Sequence, residues 1–140
     1  MNGVVTVRPG GEADLESIAR IQSASPEAAQ WDVRDYTRYK LLVATEGGVV
    51  AGFAAARQVA EGEAEVLNLA VDPSYRRRGI GRRLLGALTG SYSGELWLEV
   101  RESNTAARNL YQNIGFIEAG RRPGYYSDCC ECAIVMKIHS

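Results

Sequence analysis

The segment Val71-Asp72-Pro73-Ser74-Tyr75-Arg76-Arg77-Arg78-Gly79-Ile80-Gly81-Arg82-Arg83 places five arginines and two glycines together in a chain whose net charge is only −1. An apolar run ends at Asp72-Pro73, a short turn follows, and a helical pattern begins near Gly79. The first turn of a helix carries N–H groups that lack intrahelical partners, and its dipole favours negative charge. Glycine lets the backbone come close to a ligand that a Cβ would hold away. A diphosphate is the ligand these properties suit best. The same letters also fit a solvated arginine face beside turn glycines, or a cradle for RNA phosphates. The Lys-Ser/Thr of a nucleotide P-loop and the three-glycine dinucleotide fingerprint are both absent, which argues against ATP, GTP or a dinucleotide.

Three further side chains could do chemistry. Glu99 interrupts the apolar residues Leu96, Leu98 and Val100 and shares the alternate strand face with Trp97. On residue type alone it reads as an ion-pair partner for Arg101 or Arg108, with a general base as the second account. Tyr111 sits on the apolar stripe of a helix, where its ring can be core while its hydroxyl stays available to a ligand. Asn104 stands at a helix start, where asparagine caps well. Glu63 and Glu65 are competing carboxylates on an earlier strand. His139, the only histidine, adjoins the C-terminal residue and reads as solvated, so no Ser-His-Asp or Cys-His arrangement can be built.

The elements that must position these groups follow from periodicity. Val4 to Arg8 reads as a strand, and Leu15, Ile18, Ala19 and Ile21 trace a helical stripe behind acidic Glu12 and Asp14. Residues 27–39 read as a second, less regular helix. Strands follow at Lys40 to Thr45, Val49 to Val59 and Glu63 to Val71, with turns at Glu46-Gly47-Gly48 and Glu61-Gly62. A helix from Gly79 to Leu88, a strand from Leu96 to Val100 and a helix over 104–114 come next; Ala107, Leu110, Tyr111 and Ile114 mark the buried face of that helix. Strands near 116–122 and 130–138 finish the chain. The order is that of a mixed α/β (α+β) fold, not the regular alternation of a doubly wound sheet.

At 140 residues, residues 1–140 read as a single domain. A net charge near zero gives no general attraction to nucleic acid or anionic lipid, and no apolar run reaches the length of a membrane span. Met1 to Val5 carries neither a basic nor an apolar leader region, so the expected compartment is the cytoplasm. Cys129, Cys130 and Cys132 are too close along one strand for a relaxed disulfide or one metal, and read as reduced structural thiols. No metal is expected.

With its flanks, the arginine-glycine turn resembles motif A of the GNAT superfamily of acetyl-CoA-dependent N-acetyltransferases, R/Q-x-x-G-x-G/A, met by Arg76, Gly79 and Gly81. Leu96-Trp97-Leu98-Glu99-Val100-Arg101, Ser103-Asn104, Ala107, Leu110-Tyr111 and Gly115-Phe116 resemble the superfamily's second signature. Within it the likeness is to the RimI type, which acetylates the N-terminal alanine of a small-subunit ribosomal protein. Departures fall at Ala28-Ala29-Gln30-Trp31 and at Arg108-Asn109.

The resemblance implies a mostly antiparallel mixed sheet of about seven strands flanked by about four helices. It implies acetyl-CoA as co-substrate, held by Leu69, Ala70 and Val71, by Arg76, Arg77, Arg78, Gly79, Ile80, Gly81 and Arg82, and by Asn104. It also implies Glu99 as general base, Tyr111 as general acid, and a protein N-terminus as acceptor. An α-amine has a reference pKa near 7.7–8.0 against about 10.4 for lysine, so near pH 7 roughly one in ten is already neutral and a modest base suffices. A phenol (reference pKa about 10) is well matched to protonating a departing thiolate. The weighed alternatives are a small-amine acetyltransferase and a non-catalytic acyl-CoA- or RNA-binding module.

Overall fold

A computed structural model describes residues 4–26, 28–76, 78–126 and 131–139. Strands β1 (Val5–Pro9), β2 (Lys40–Glu46), β3 (Val49–Ala60), β4 (Glu63–Val71), β5 (Glu95–Arg101), β6 (Ile117–Tyr126) and β7 (Glu131–His139) form one seven-stranded sheet in the order β1-β2-β3-β4-β5-β7-β6. Every neighbouring pair is antiparallel except β4 and β5. Parallel neighbours need a crossover, here supplied by α2 (Ile80–Ser91). The other α-helices are α1 (Leu15–Ser23) and α3 (Thr105–Ile114), and short 3₁₀ segments occupy Glu12–Asp14, Val33–Arg38 and Pro73–Tyr75. Among the described residues no helix is long and apolar enough to cross a membrane.

The two sheet faces carry separate cores. On one face α2 and α3 bury Ile80, Leu84, Leu85 and Leu88 against Leu96, Leu98, Ile134 and Met136. The four α2 residues are at most 1% exposed, and each such burial is worth about 1.5–3 kcal/mol relative to exposure. On the other face Ile18 and Ile21 of α1 pack with Tyr36, Val43, Phe53 and Leu67. In β5 the buried residues Leu96, Leu98 and Val100 belong to the α2–α3 core, so the alternate side chains Trp97 and Glu99 lie on the α1 face.

The expected helix over 27–39 is corrected to the 3₁₀ segment Val33–Arg38. Asp32 starts it by accepting a hydrogen bond from the Arg34 N–H. Upstream, side-chain amides take the carbonyls of Ala28, Ala29 and Trp31, which a helix would have used internally. Tertiary partners override a weak local propensity there.

The pairing of β4 decides where a ligand can sit. Its register with β3 jumps from Ala55↔Asn68 to Ala56↔Val66, leaving Leu67 unpaired as a bulge. Its pairing with β5 covers Glu63↔Glu95, Ala64↔Leu96 and Glu65↔Trp97. Beyond Glu65 the two strands part.

Candidate active site

The parted strands open a cleft of about 940 Å³. Its walls are β4 from Val66 to Val71, β5 from Leu98 to Arg101, the first turn of α2, and the inner side of α3 at Asn104, Ala107, Leu110 and Tyr111. Of the residues expected from sequence to bind or react, Leu69, Ala70, Val71, Arg76, Gly79, Ile80, Gly81, Arg82, Glu99, Asn104 and Tyr111 all line this one cleft. Arg77 lies outside the described residues.

The cleft face of β4 carries hydrogen-bonding backbone. Asp72 N–H donates to the Ala51 carbonyl at 2.8 Å, and pairing alternates along an antiparallel strand. The main-chain groups of Ala70 therefore point to β3, whereas those of Leu69 and Val71 point into the gap. Of the three residues expected to lend main-chain groups to a ligand, Leu69 and Val71 thus have theirs on the gap side and Ala70 does not. The Leu69 N–H is held by the Asn68 Oδ1 at 3.0 Å.

At the end of β4, Asp72 anchors the turn. Its carboxylate accepts from Ser74 N–H at 2.9 Å and from Arg20 at 2.6 Å. Burial pushes the Asp72 carboxyl up, but the Ser74 N–H and the Arg20 guanidinium outweigh it and hold it below the usual range. A depressed carboxyl contributes stability above its unfolded-state pKa and loses it as pH falls, so this anchor weakens only in acid.

Gly79 is the N-cap of α2 at φ +74° and brings no side chain to satisfy the first N–H groups of the helix. Those donors, with Ile80, Gly81 and Arg82, face the cleft. A Cβ at Gly81 would stand 3.2 Å from Leu110 Cδ2, so this glycine also lets α2 lie close to α3. A non-glycine residue at such a φ costs about 1–2 kcal/mol. Gly79→Ala is expected to lower stability by about that amount and to weaken acetyl-CoA binding roughly tenfold as the donors are displaced; calorimetry and thermal melts check both.

The arginine cluster divides in a way the sequence does not reveal. Arg76 and Arg82 line the cleft. The Arg78 guanidinium instead pairs with the buried carboxylate of Glu46 on β2 and lies 5.1 Å over the Tyr75 ring, which braces the turn. Arg83 donates to the Val5 carbonyl of β1. Among the described residues, the positive charges of Arg76, Arg78, Arg82 and Arg83 do not converge on one point.

Glu99 occupies a junction. Together with Leu98 it lines both the large cleft and a smaller cavity of about 240 Å³ on the α1 face, whose walls include Val59, Glu63, Glu65, Trp97 and Arg122. Its ion-pair partner is Arg122 of β6 at 3.1 Å, not Arg101 or Arg108; Arg108 donates to the Glu102 carbonyl. Glu63 and Glu65 line only the smaller of these two cavities, and Glu65 pairs with Arg57 at 3.2 Å. Tyr111 is 8% exposed, with its ring 5.8 Å from that of Phe116. Tyr111 is packed in the core and also lines the cleft. Asn104 caps α3 by accepting from the Ala107 N–H at 3.2 Å.

Two contributors went unread in the sequence. The bulge at Leu67 carries no signal, being one more apolar residue in an apolar strand. Pro26, Ala28, Ala29 and Gln30 complete the cleft wall, and the last three sit where the helical reading of 27–39 placed regular structure. His139 is exposed and Cys132 is a free, half-buried thiol, while Cys129 and Cys130 lie outside the described residues. Among the described residues no group of three or more His, Cys, Asp or Glu side chains could hold a metal.

A long, partly apolar slot beside parted strands, ending at an uncapped helix N-terminus, suits a thioester on an extended arm that terminates in a diphosphate. The class so defined is that of acetyl-CoA-dependent N-acetyltransferases. Comparison with known proteins names the family: the model of the acetyltransferase (GNAT) family matches residues 13–116, and the chain belongs to that family. It is 45% identical over 107 residues to the [ribosomal protein bS18]-alanine N-acetyltransferase of Escherichia coli K12, covering 72% of each chain. The crystal structure of the ribosomal-protein-S18-alanine N-acetyltransferase from Escherichia coli superposes with a TM-score of 0.83 at 36% identity, over 97% of this chain and 94% of that one. Ard1 from Thermoplasma volcanium gives 0.87 at 30% identity, over 96% and 97%.

Proposed function

We propose that this enzyme acetylates the α-amine of a protein N-terminus, and that its acceptor is the N-terminal alanine of a small-subunit ribosomal protein of the bS18 kind. The observation that carries the reading is Glu99, which lines two separate cavities. One fits the co-substrate; the other gives an amine a route to the same carboxylate. The relatives named for bS18 support the choice of acceptor.

Acetyl-CoA supplies the activated acetyl thioester. The residues of the chain do the rest. Main-chain groups of Leu69 and Val71 align the arm as an added strand, in the manner of strand addition at an open edge. The α2 N-terminus and Arg76 and Arg82 hold the diphosphate. Glu99 receives the proton released from the amine, directly or through a water molecule, as the nitrogen–carbon bond forms. Tyr111 donates its hydroxyl proton to the sulfur as the carbon–sulfur bond breaks. The products are an N-acetylated chain and a free thiol.

A small polyamine would call for a concentrated negative pocket. In the smaller cavity Glu65 and Glu99 are already neutralised by Arg57 and Arg122, which favours a peptide amine instead. The test is acetyl-CoA consumption against peptides with a free α-amine, the same peptides α-blocked with lysines free, and polyamines. Turnover is expected only with unblocked peptides, fastest when they begin with alanine. Turnover of α-blocked peptides or polyamines alone would overturn the reading.

A further inference from the structure

The reaction leaves one set of buried polar side chains unused. Gln22 of α1, Tyr36 of the 3₁₀ segment and Asn68 of β4 are 6%, 1% and 6% exposed. The Tyr36 hydroxyl donates to Gln22 Oε1 at 2.5 Å, and Asn68 Nδ2 donates to the same hydroxyl at 3.0 Å. Burial pushes the Tyr36 phenol up to about 12 against the opposing hydrogen bond from Asn68, so the set stays neutral in ordinary conditions. Buried amides are costly unless satisfied, and here their remaining capacity goes to main chain.

Where that capacity goes is informative. Asn68 Nδ2 holds the Ala29 carbonyl at 2.7 Å, and Gln22 Nε2 holds the Trp31 carbonyl at 2.6 Å. Residues 28–31 have no regular structure, and Ala28, Ala29 and Gln30 form the cleft wall. This wall stands on the α1 face of the sheet, the face on which Glu99 projects. The other end of the same Asn68 amide holds the Leu69 N–H, one of the donors turned toward the cleft. One side chain thus touches both the cleft edge of β4 and the 28–31 wall, which lines the same cleft as Glu99.

The geometry points to Asn68 as a positioning residue that sets the 28–31 wall, and with it the fit of the acceptor, for the N-terminal acetylation proposed above. Through its carboxamide it ties that wall to the strand edge along which the co-substrate lies. Gln22, whose Oε1 accepts from Asn68 Nδ2 at 3.2 Å, holds the carboxamide in the one orientation that serves both, with or without the Tyr36 hydroxyl.

The test uses the full chain. Asn68→Ser is too short to reach the Ala29 carbonyl; Asn68→Asp keeps the shape and the acceptor for Leu69 N–H but loses the donor, and serves if the serine variant fails to fold. The expected result is an acceptor KM raised about tenfold or more, with kcat and acetyl-CoA affinity within about threefold of wild type. Hydrogen exchange at residues 28–32 should quicken at least about tenfold while β2 and β3 stay protected. Tyr36→Phe, which leaves the Asn68–Ala29 bond in place, should shift the same KM less than about threefold.

Unchanged exchange at 28–32 overturns the hold on the wall. Faster exchange with an unchanged KM overturns its role in acceptor fit. A joint loss of kcat, KM and co-substrate affinity, with a lower melting temperature, reduces Asn68 to a general structural part. If wild type acetylates only a small amine, the N-terminal reading fails, and the same KM comparison made with that amine still decides the role of Asn68.

Discussion

Glu99→Gln is expected to lower kcat roughly 10²–10⁴-fold, equivalent to about 2.7–5.4 kcal/mol of barrier, while the affinity for acetyl-CoA stays within about threefold of wild type. The substitution keeps the shape of the side chain and leaves an amide oxygen for Arg122, which lies 3.1 Å from the carboxylate. It removes only the capacity to receive a proton. Binding should survive because the groups proposed to hold the co-substrate are the edge of β4 and the α2 N-terminus. The pH dependence separates two ways in which the carboxylate can act. An α-amine is only about one-tenth neutral near pH 7 and becomes mostly neutral by pH 9. If Glu99 deprotonates the amine before attack, the deficit of the variant narrows up to about tenfold between those values. If it takes the proton during attack, the deficit persists. A kcat within about threefold of wild type across that range would remove Glu99 from the mechanism and return it to the simple ion pair that its residue type first suggests.

Much of this was open to reading in the sequence because the relevant physics is local. A strand-turn-helix with glycines at 79 and 81 implies exposed N–H donors wherever it occurs, and the left-handed backbone of Gly79 follows from that need. The 3.6-residue spacing of Ala107, Leu110, Tyr111 and Ile114 marked which face of α3 turns inward, the face on which Tyr111 is packed and lines the cleft. Alternation along β5 separated Glu99 from the buried residues Leu98 and Val100.

What the sequence withheld is long-range. Arg78 and Arg82 look alike in a row of arginines, yet one is 32 residues from its partner Glu46 and the other faces the cleft. Arg122 reaches Glu99 from β6 across β7, a pairing that no spacing between positions 99 and 122 announces. Residues 28–31 have enough helix-forming alanine to read as helix, and only the distant amide of Asn68 and that of Gln22 explain why they are not. β4 pairs with β5 only as far as Glu65, and the bulge just beyond falls at Leu67, whose side chain is indistinguishable in type from its neighbours. Side-chain type gave the reagents; the partners that aim them come from sheet order and register.

Tyr111→Phe is expected to produce a second large loss, also roughly 10²–10⁴-fold in kcat, with little change in acetyl-CoA affinity or melting temperature. The phenylalanine ring keeps the tilted contact with Phe116 at 5.8 Å and the packing of α3, because only the hydroxyl is removed. Breaking a carbon–sulfur bond without a proton donor leaves a thiolate in a cleft whose walls include Leu98, Val100 and Leu110, where an unpaired charge is costly. A phenol removes that cost as the bond lengthens, and its reference pKa lies only about 1.5 units above that of an ordinary thiol, so the transfer is close to balanced. Tyr111→Leu supplies the contrast: it loses the hydroxyl and the ring contact together, and should lower both kcat and the melting temperature. Thiol release measured under saturating acetyl-CoA reads kcat, and calorimetry reads binding. If Tyr111→Phe turns over like wild type while Tyr111→Leu is impaired, the tyrosine serves packing alone, and the proton for the leaving sulfur must come from solvent.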